Sequence, residues 1–575
     1  MKCKMLLIVL SAVALATQYV CAQAQVVPVD PTTAVTADYA LPADAPKLVR
    51  LVAPRGGFAS GQVLVKTGGA ITALPVQVGP LVGPGTIPAT ALQVRYPTRK
   101  PDLAGGAFDY GVEERFDALS DKLIPGEALQ PVWLTVTVPE TAAPGVYKSD
   151  LTINGKKLPL ELTVGKFVVP KQRQLLTETL QSADSVALRY GVQPYSDAHF
   201  KLLEASLALQ GRIGNNVLII PVIGQAYIGN QIGLIQYRKT GGKLTPDFTT
   251  FDRYLALYHK YCGAPRMVTV YLWENHLSDK KNAPTREDIE VTVLGANGAM
   301  EAVTLPNYAA GKEAFKATLA GIVERVGKLG TKAENVMVGQ SCDNHPTAAN
   351  VAFFNDIAPG MKWAAFTHGY GYSGNMGMHG HEVKLFHSPD FTPGPDKERG
   401  GWNQLRLNSL RSWLENDTPP IRWRLTADLS CGNHKQGTCA GYGMIGLDYL
   451  ALPPKTGSKH TLTLWAGPYP GLKYCRLDRG QVSAFSAAGP SGVISTVRLE
   501  MLAEGAFEAE ARIAIEQAVS AKKLDATKAG ELLLKRGRAI MAKQGGESWQ
   551  KTVSADASWH DDLVAIYNLA GEAQP

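Results

Sequence analysis

The chain has 575 residues, a formal net charge of +7 and seven cysteines. That length exceeds one ordinary hydrophobic core and calls for two or three domains. So mild a charge, with no dense Lys/Arg cluster, argues against nucleic-acid binding.

The first element is a leader. Lys2 and Lys4 precede the apolar run Met5–Ala16, and Ala22-Gln23-Ala24 is a small-x-small cleavage signal. The run is shorter than the roughly 20 residues of a spanning helix. The sequence therefore predicts a signal peptide over 1–24 and export to the periplasm or the exterior. Gln18-Tyr19-Val20 before Cys21 is no lipobox. No later segment is apolar enough to span a bilayer. Cleavage after Ala24 removes Cys3 and Cys21 and leaves Cys262, Cys342, Cys431, Cys439 and Cys475, an odd set. Cys431 and Cys439 flank the turn-rich stretch Gly432–Thr438 and are the expected disulfide. Cys342 reads as a buried structural thiol, since no partner that would stabilise a thiolate can be named.

Residues 25–173 are rich in Val, Thr, Pro and Gly. Short strands are predicted at Gly61–Lys66, Leu92–Tyr96, Val132–Pro139, Lys148–Ile153 and Leu158–Val164. Trp133 to Val138 alternates with period two, Ala143-Pro144-Gly145 is a turn, and Asn154-Gly155 is a hairpin signal. Many short strands with regular turns imply a β-sandwich, in a packing or carbohydrate-facing accessory role.

Residues 174–495 change texture. Helical periodicity at Asp197–Leu209, Phe251–Tyr261, Glu313–Leu329 and Ala348–Ile357 alternates with apolar runs. Those runs are Val217–Ile223, Met267–Leu272, Asn335–Gly339 and Met361–Thr367, with later candidates at Ile421–Leu425 and Met444–Leu450. Such alternation over some three hundred residues favours a (β/α)8-type barrel. The Gly-, His- and Tyr-rich stretch Gly369–Gly401 reads as one long active-site loop. Residues 496–575 read as helices: one with a broken apolar stripe of Leu499, Leu502, Phe507, Ile513 and Ala518, then Ala526–Lys543 and Trp559–Ala570. Together they suggest a small cap or bundle.

The chemistry collects where the predicted strands end. Glu274 closes the run Val268–Trp273, Asp343 closes Val336–Cys342, His368 a third run and Asp428 a fourth. Polar residues at the C-terminal ends of barrel strands carry catalysis in that architecture. Two neighbouring carboxylates are what glycoside hydrolysis needs: one protonates the leaving oxygen, and the other attacks, activates water or steadies a substrate group. Trp273, Tyr370, Tyr372, Trp402 and Trp465 offer flat faces for sugar rings. Singly, a Glu or Asp near a strand end often only caps a loop, and a lone Trp is more often core than sugar platform; it is their joint occurrence that raises the catalytic reading. His379-Gly380-His381-Glu382 lacks a third ligand at diagnostic spacing, so neither a metal nor another cofactor is assigned. A P-loop, a dinucleotide fingerprint and a Gly-x-Ser-x-Gly elbow are all absent in convincing context.

Three further runs carry a family likeness. They are Val132–Pro139 with Ala143-Pro144-Gly145-Val146-Tyr147; Phe248-Thr249-Thr250-Phe251-Asp252-Arg253-Tyr254; and Ser495–Leu502 with Glu504-Gly505. In order along the chain, they resemble the N-terminal sandwich, a barrel helix and the C-terminal signature of glycoside hydrolase family 123 and its secreted bacterial relatives. The resemblance implies a catalytic Asp-Glu pair at a strand end, usually followed by Pro. In that pair the Asp orients a substrate 2-acetamido group, which acts as nucleophile, and the Glu is the general acid/base. Asp343 matches the Asp. Asn344 stands in the place of the Glu, and His345 intervenes before Pro346. An amide neither donates nor accepts a catalytic proton near neutral pH.

Beside a weaker idea, a structural export-associated protein with no sugar ligand, two readings therefore stay open. One is a glycoside hydrolase acting on an oligosaccharide or polysaccharide, with Asp343 and Glu274 as its carboxylates; Asn344, His345, His368, Trp273, Tyr370, Tyr372, Trp402 and Asp428 would bind substrate. The other is a carbohydrate-binding or surface protein that lost its acid/base at Asn344.

Overall fold

The computed structural model describes residues 24–99, 115–181, 183–224, 230–273, 289–339, 348–366, 376–381, 405–409, 439–446, 486–544 and 557–574. Its organisation is mixed α/β with many sheets.

The first unit holds eleven strands: β1 (Gln25–Val29), β2 (Val49–Arg55), β3 (Phe58–Lys66), β4 (Val76–Val78), β5 (Leu81–Val82), β6 (Thr86–Ile87), β7 (Leu92–Arg99), β8 (Phe116–Ser120), β9 (Leu129–Thr137), β10 (Gly145–Ile153) and β11 (Lys156–Val168). They form a sheet of order β1-β3-β9-β7-β8 and a second of order β2-β11-β10-β5-β6, with β4 also on β10. Val63, Val132, Leu134 and Val136 of the first share one core with Leu51, Leu151, Leu160 and Leu162 of the second. Asn154 and Gly155 take positive φ, 48° and 78°, between the paired residues Ile153 and Lys156, which is why Asn-Gly suits this hairpin. The alternation in β9 does not separate core from solvent. While Val132 and Leu134 face the second sheet, Trp133 packs on the other side with Phe58, Met501 and Phe507.

The chain then runs β12 (Leu176–Leu180), α1 (Ala183–Tyr190), α2 (Asp197–Ile213), β13 (Val217–Pro221), β14 (Gln236–Thr240), β15 (Lys243–Asp247), α3 (Thr249–Cys262), β16 (Met267–Tyr271), β17 (Ile289–Leu294), β18 (Met300–Leu305), α4 (Lys312–Gly327), β19 (Val336–Val338), α5 (Ala348–Ile357) and β20 (Lys362–Phe366). Beyond these lie β21 (Met376–His381), β22 (Leu405–Ser409), β23 (Cys439–Gly446) and the hairpin β24 (Ala487–Gly489) and β25 (Gly492–Ile494). Strands β12, β13, β16, β19, β20, β21, β22 and β23 pair in parallel, in that order, and the ring closes between β23 and β12.

Outward-facing Leu218, Ile220, Val268, Val270, Val336 and Val338 pack with Leu203, Leu207, Phe251, Tyr258, Phe315, Leu319 and Phe354 of the surrounding helices. Ile219, Thr269 and Met337 align across β13, β16 and β19. They are buried but belong to no helix-facing cluster, because successive strand residues point to opposite faces. Polar β12 joins the ring with help from two amides. Thr177 N donates to Asn216 Oδ1 and Thr179 N to Asn215 Oδ1, both at 3.0 Å.

Three sequence expectations change here. Met376–His381 lies inside the stretch expected as one long loop, yet it is a ring strand between β20 and β22. Its glycines and histidines hide the apolar alternation that would have marked it. The β23 strand begins at Cys439, earlier than the expected run at Met444. A further sheet, β15-β14-β17-β18, grows out of the connections after β13 and β16. The expected strand Ile421–Leu425 lies outside the described residues.

The C-terminal helices are α6 (Val497–Ser520), α7 (Ala526–Gln544) and α8 (Ala557–Ala573). They pack on one another and also on the sheets and the ring. Thr496 caps α6, its Oγ1 accepting from Leu499 N at 3.2 Å. Val497 to Arg512 are buried without interruption, charged residues included. The helix lies between the sheets and the ring, so both of its faces are covered. The α8 helix docks on β11. Asn568 Oδ1 accepts from Lys166 N at 3.1 Å, and Gln574 both accepts from Val168 N and donates to Val168 O. Gly165 is required there, because a Cβ would sit 2.4 Å from Tyr567 Cβ. No helix of the described residues is long and apolar enough to cross a membrane.

Candidate functional site

The parallel strands of the ring end at a common edge, the edge at which the sequence reading expects Glu274 and Asp343. β16 and β19 are direct neighbours, with Val270 opposite Val338. After Tyr271 the chain continues Leu272-Trp273-Glu274; after Val338 it continues Gly339-Gln340-Ser341-Cys342-Asp343. The two connections therefore leave adjacent strands on the same side.

The last described residues of both strands are tightly fixed. Gly339 N donates to Val270 O at 3.0 Å. Gly339 has φ of 92°, and a Cβ there would meet Ala364 O at 3.1 Å, so the turn out of β19 needs a glycine. Trp273 is 2% exposed. Its ring meets Trp363 edge-on with centroids 5.5 Å apart, and its Nε1 donates to Asn350 Oδ1 at 3.1 Å. Trp363 in turn packs edge-on against Phe354, and Phe354 against Tyr308. This aromatic chain ties the end of β16 and the start of β20 to α5.

Of the candidates named from the sequence, only Trp273 has a described side chain. Glu274, Asp343, Asn344, His345, His368, Tyr370, Tyr372, Trp402, Asp428 and Cys431 lie outside the described residues, and Cys439 is described only as the first residue of β23. Among the described residues no group of three or more His, Cys, Asp or Glu is arranged to hold a metal.

The same edge carries polar residues that the sequence reading passed over. Asp184, in the first turn of α1, is 1% exposed, and its Oδ2 accepts from Gln231 N at 2.8 Å and Ile232 N at 3.4 Å. His199 of α2 holds the start of α1: Nε2 donates to Ala183 O at 2.9 Å while Nδ1 accepts from Tyr195 N at 2.8 Å. Burial lowers the His199 pKa to about 4, which keeps the ring neutral and able to accept. Asn230 Nδ2 donates to Ile223 O and Ile232 O, and Gly233 N donates to Thr292 Oγ1. The signal was available in part: an acidic residue at a helix start, and Gly224 and Gly233 bracketing one connection. A polar β12, however, concealed that a strand precedes Asp184.

Comparison with known proteins places this geometry. The sequence profile described as Glycoside hydrolase 123, catalytic domain, matches residues 181–375, and that of the Glycoside hydrolase 123 N-terminal domain matches 55–155. The chain is a glycoside hydrolase family 123-like protein. Among solved structures it is similar to a family 123 glycoside hydrolase from Clostridium perfringens, studied for glycolipid glycan hydrolysis. That match has 14% identity, covers 95% of this chain and 97% of the other, and has a TM-score of 0.64, a likeness of fold. A GH5 xyloglucanase from Bacteroides ovatus aligns over 61% of this chain and 73% of its own at a TM-score of only 0.19. No curated protein matches the chain significantly.

Proposed function

We propose that the protein is an exported glycoside hydrolase that cleaves a complex glycan at the C-terminal edge of a (β/α)8-type barrel. The observation that carries this reading is the match of the catalytic-domain profile to residues 181–375, which span the adjacent strands β16 and β19 and the connections leaving them. In this reading Asp343 holds the substrate's 2-acetamido group against the anomeric carbon. The acetamido oxygen attacks as the glycosidic bond breaks. Glu274 gives its proton to the leaving oxygen, and the resulting carboxylate then takes a proton from the water that opens the cyclic intermediate. Glycans of the glycolipid class are the first substrates to test, by analogy with the Clostridium perfringens protein.

The test is a screen of the purified protein on N-acetylhexosamine-terminated glycans, with Glu274→Gln and Asp343→Asn beside the wild type. General acid catalysis is typically worth ~10²–10⁴-fold, so Glu274→Gln is expected to lose about that factor on natural linkages. Aryl glycosides with good leaving groups are expected to be hit less. Turnover of natural glycans by Glu274→Gln at the wild-type rate removes Glu274 from the role of acid. Asn344, in the place of the family's glutamate, favours a second reading, a glycan-binding protein without turnover. Binding without cleavage across the panel selects it.

A further inference from the structure

Asp184 is the one buried carboxylate described here that links two consecutive connections at the edge where the carboxylate-bearing connections also leave. Its own connection follows β12. The residues it holds, Gln231 and Ile232, belong to the connection after β13. That second connection is tied at every described point. Val222 N and Ile223 N donate to Tyr271 O, Gly224 N to Glu290 O at 2.7 Å, and Leu234 N to Pro221 O at 2.7 Å. Ile223 bridges Val291, and Gly233 N reaches Thr292 Oγ1 at 2.9 Å. A Cβ on Gly233 would lie 2.4 Å from Val222 O, and one on Gly224 2.7 Å from Gln231 O, so the two legs of the connection touch. Glu290, Val291 and Thr292 belong to β17, the strand that ends the connection carrying Glu274. Asp184 thus stands at the head of a chain of contacts. It runs from the β12 connection through Gln231–Gly233 to β17.

From this chain we infer that Asp184 is a positioning residue for the glycan site: it sets the place of Asn230–Leu234 and, through Gly233 and Thr292, of β17, the strand that ends the Glu274 connection. This inference rests on the hydrolase reading for its effect on sugar, but not for its effect on the backbone. A carboxylate accepting two backbone N–H groups from a neighbouring connection makes charge-assisted bonds, stronger than neutral ones. Removing it leaves two part-buried backbone amides without their acceptor. His199, which bonds the carbonyl next to Asp184, fixes the carboxylate's own platform.

The experiment has two arms. Hydrogen exchange followed by mass spectrometry is expected to show the peptide covering Asn230–Leu234 exchanging about tenfold faster in Asp184→Ala, in line with loss of a charge-assisted bond, while peptides of β3, β9 and α6 stay at the wild-type rate. Asp184→Asn keeps one acceptor oxygen and is expected to restore most of the protection. The second arm is kinetic. Asp184→Ala is expected to raise KM for the cleaved glycan about tenfold with kcat within threefold, and Asp184→Asn to lie near wild type. Unchanged exchange at Asn230–Leu234 overturns the inference, as does faster exchange with an unchanged KM. A proportional loss of kcat in both variants, with exchange raised throughout the protein, also overturns it, since that marks a general loss of folding. If the wild type neither binds nor cleaves any glycan, the hydrolase reading falls. The exchange arm then decides alone: acceleration confined to Asn230–Leu234 upholds Asp184 as the residue holding this connection, and its absence refutes it.

Discussion

Arg212, on helix α2 of the ring, donates two hydrogen bonds to one oxygen of the buried Glu500 carboxylate, at 2.6 and 3.2 Å to Oε2. The other oxygen, Oε1, accepts from Arg95 of β7 at 3.1 Å and from Ser495 Oγ at 2.8 Å. Glu500 of α6 therefore joins the sheet unit to the ring through one carboxylate. Its neighbours on α6 repeat the device. Arg498 pairs with Asp117 of β8, Glu504 accepts from Ser60 N of β3, and Glu510 accepts from Gln174 N and Leu175 N at the entrance to β12.

Glu500→Gln is expected to destabilise the protein by about 3–5 kcal/mol, because it leaves two guanidinium groups in a largely dry joint without their counter-ion. Replacing Arg95, Arg212 and Glu500 together by Met or Leu is expected to cost far less than that, since no buried charge is left unpaired. Denaturant titration of the single and triple variants separates the two costs. A triple variant as weak as Glu500→Gln would refute the argument.

The joint also sets an acid limit. Burial alone would raise the Glu500 pKa, but Arg95 and Arg212 outweigh it and hold it at about 2, against an ordinary value of 4.5. A carboxylate with a lowered folded pKa contributes stability that is complete above its unfolded pKa and lost as pH falls through the folded one. The Glu500 share should therefore be complete above pH 4.5 and disappear between there and about 2. Melting curves of wild type and Glu500→Gln are expected to converge over that window.

His199 works over a higher window. It is buried neutral with a pKa near 4, below its ordinary 6.5, so the folded state disfavours its proton. Its share of stability is complete above pH 6.5 and is lost on acidification toward 4. His199→Gln is expected to flatten the fall in melting temperature across that range; an unaltered slope would show that the ring titrates freely.

Two glycines at positive φ separate strain from crowding. Gly155 has φ of 78° and open space around it, so Gly155→Ala should cost only the left-handed backbone, about 1–2 kcal/mol. Gly339 adds Ala364 O at 3.1 Å to a φ of 92°. Gly339→Ala is therefore expected to cost more than Gly155→Ala, and to lower glycan turnover in addition, because it shifts the turn that leads toward Asp343. Thermal unfolding of both variants, with activity measured on each, checks the order.

How far the sequence could be read follows from what each element packs against. β3, β9, β10 and β11 were legible because long alternating runs end in clear turns such as Asn154-Gly155. β5 and β6 are two residues each, too short to leave a period. α6 was legible as a helix but not as the joint. Glu500, Glu504, Glu508 and Glu510 look like a solvent face until Arg95, Arg212, Ser60 and Arg536 are found opposite them. At the site, the sequence marked where β16 and β19 end. It had no means of telling that the Trp273 ring packs on Trp363, since a tryptophan after a strand has the same letters whether it meets a sugar or a neighbour.

The order of these parts along the chain has a consequence for synthesis. β7 and β8, then β12 and α2, leave the ribosome well before Glu500 and Arg498, the charged partners that Arg95, Arg212 and Asp117 meet in the joint. Arg95, Arg212 and Asp117 meet these counter-ions only once α6 has been made. A nascent chain cut short before Val497 has not yet formed these salt bridges between the sheets and the ring, so the lock between them falls at the end of synthesis.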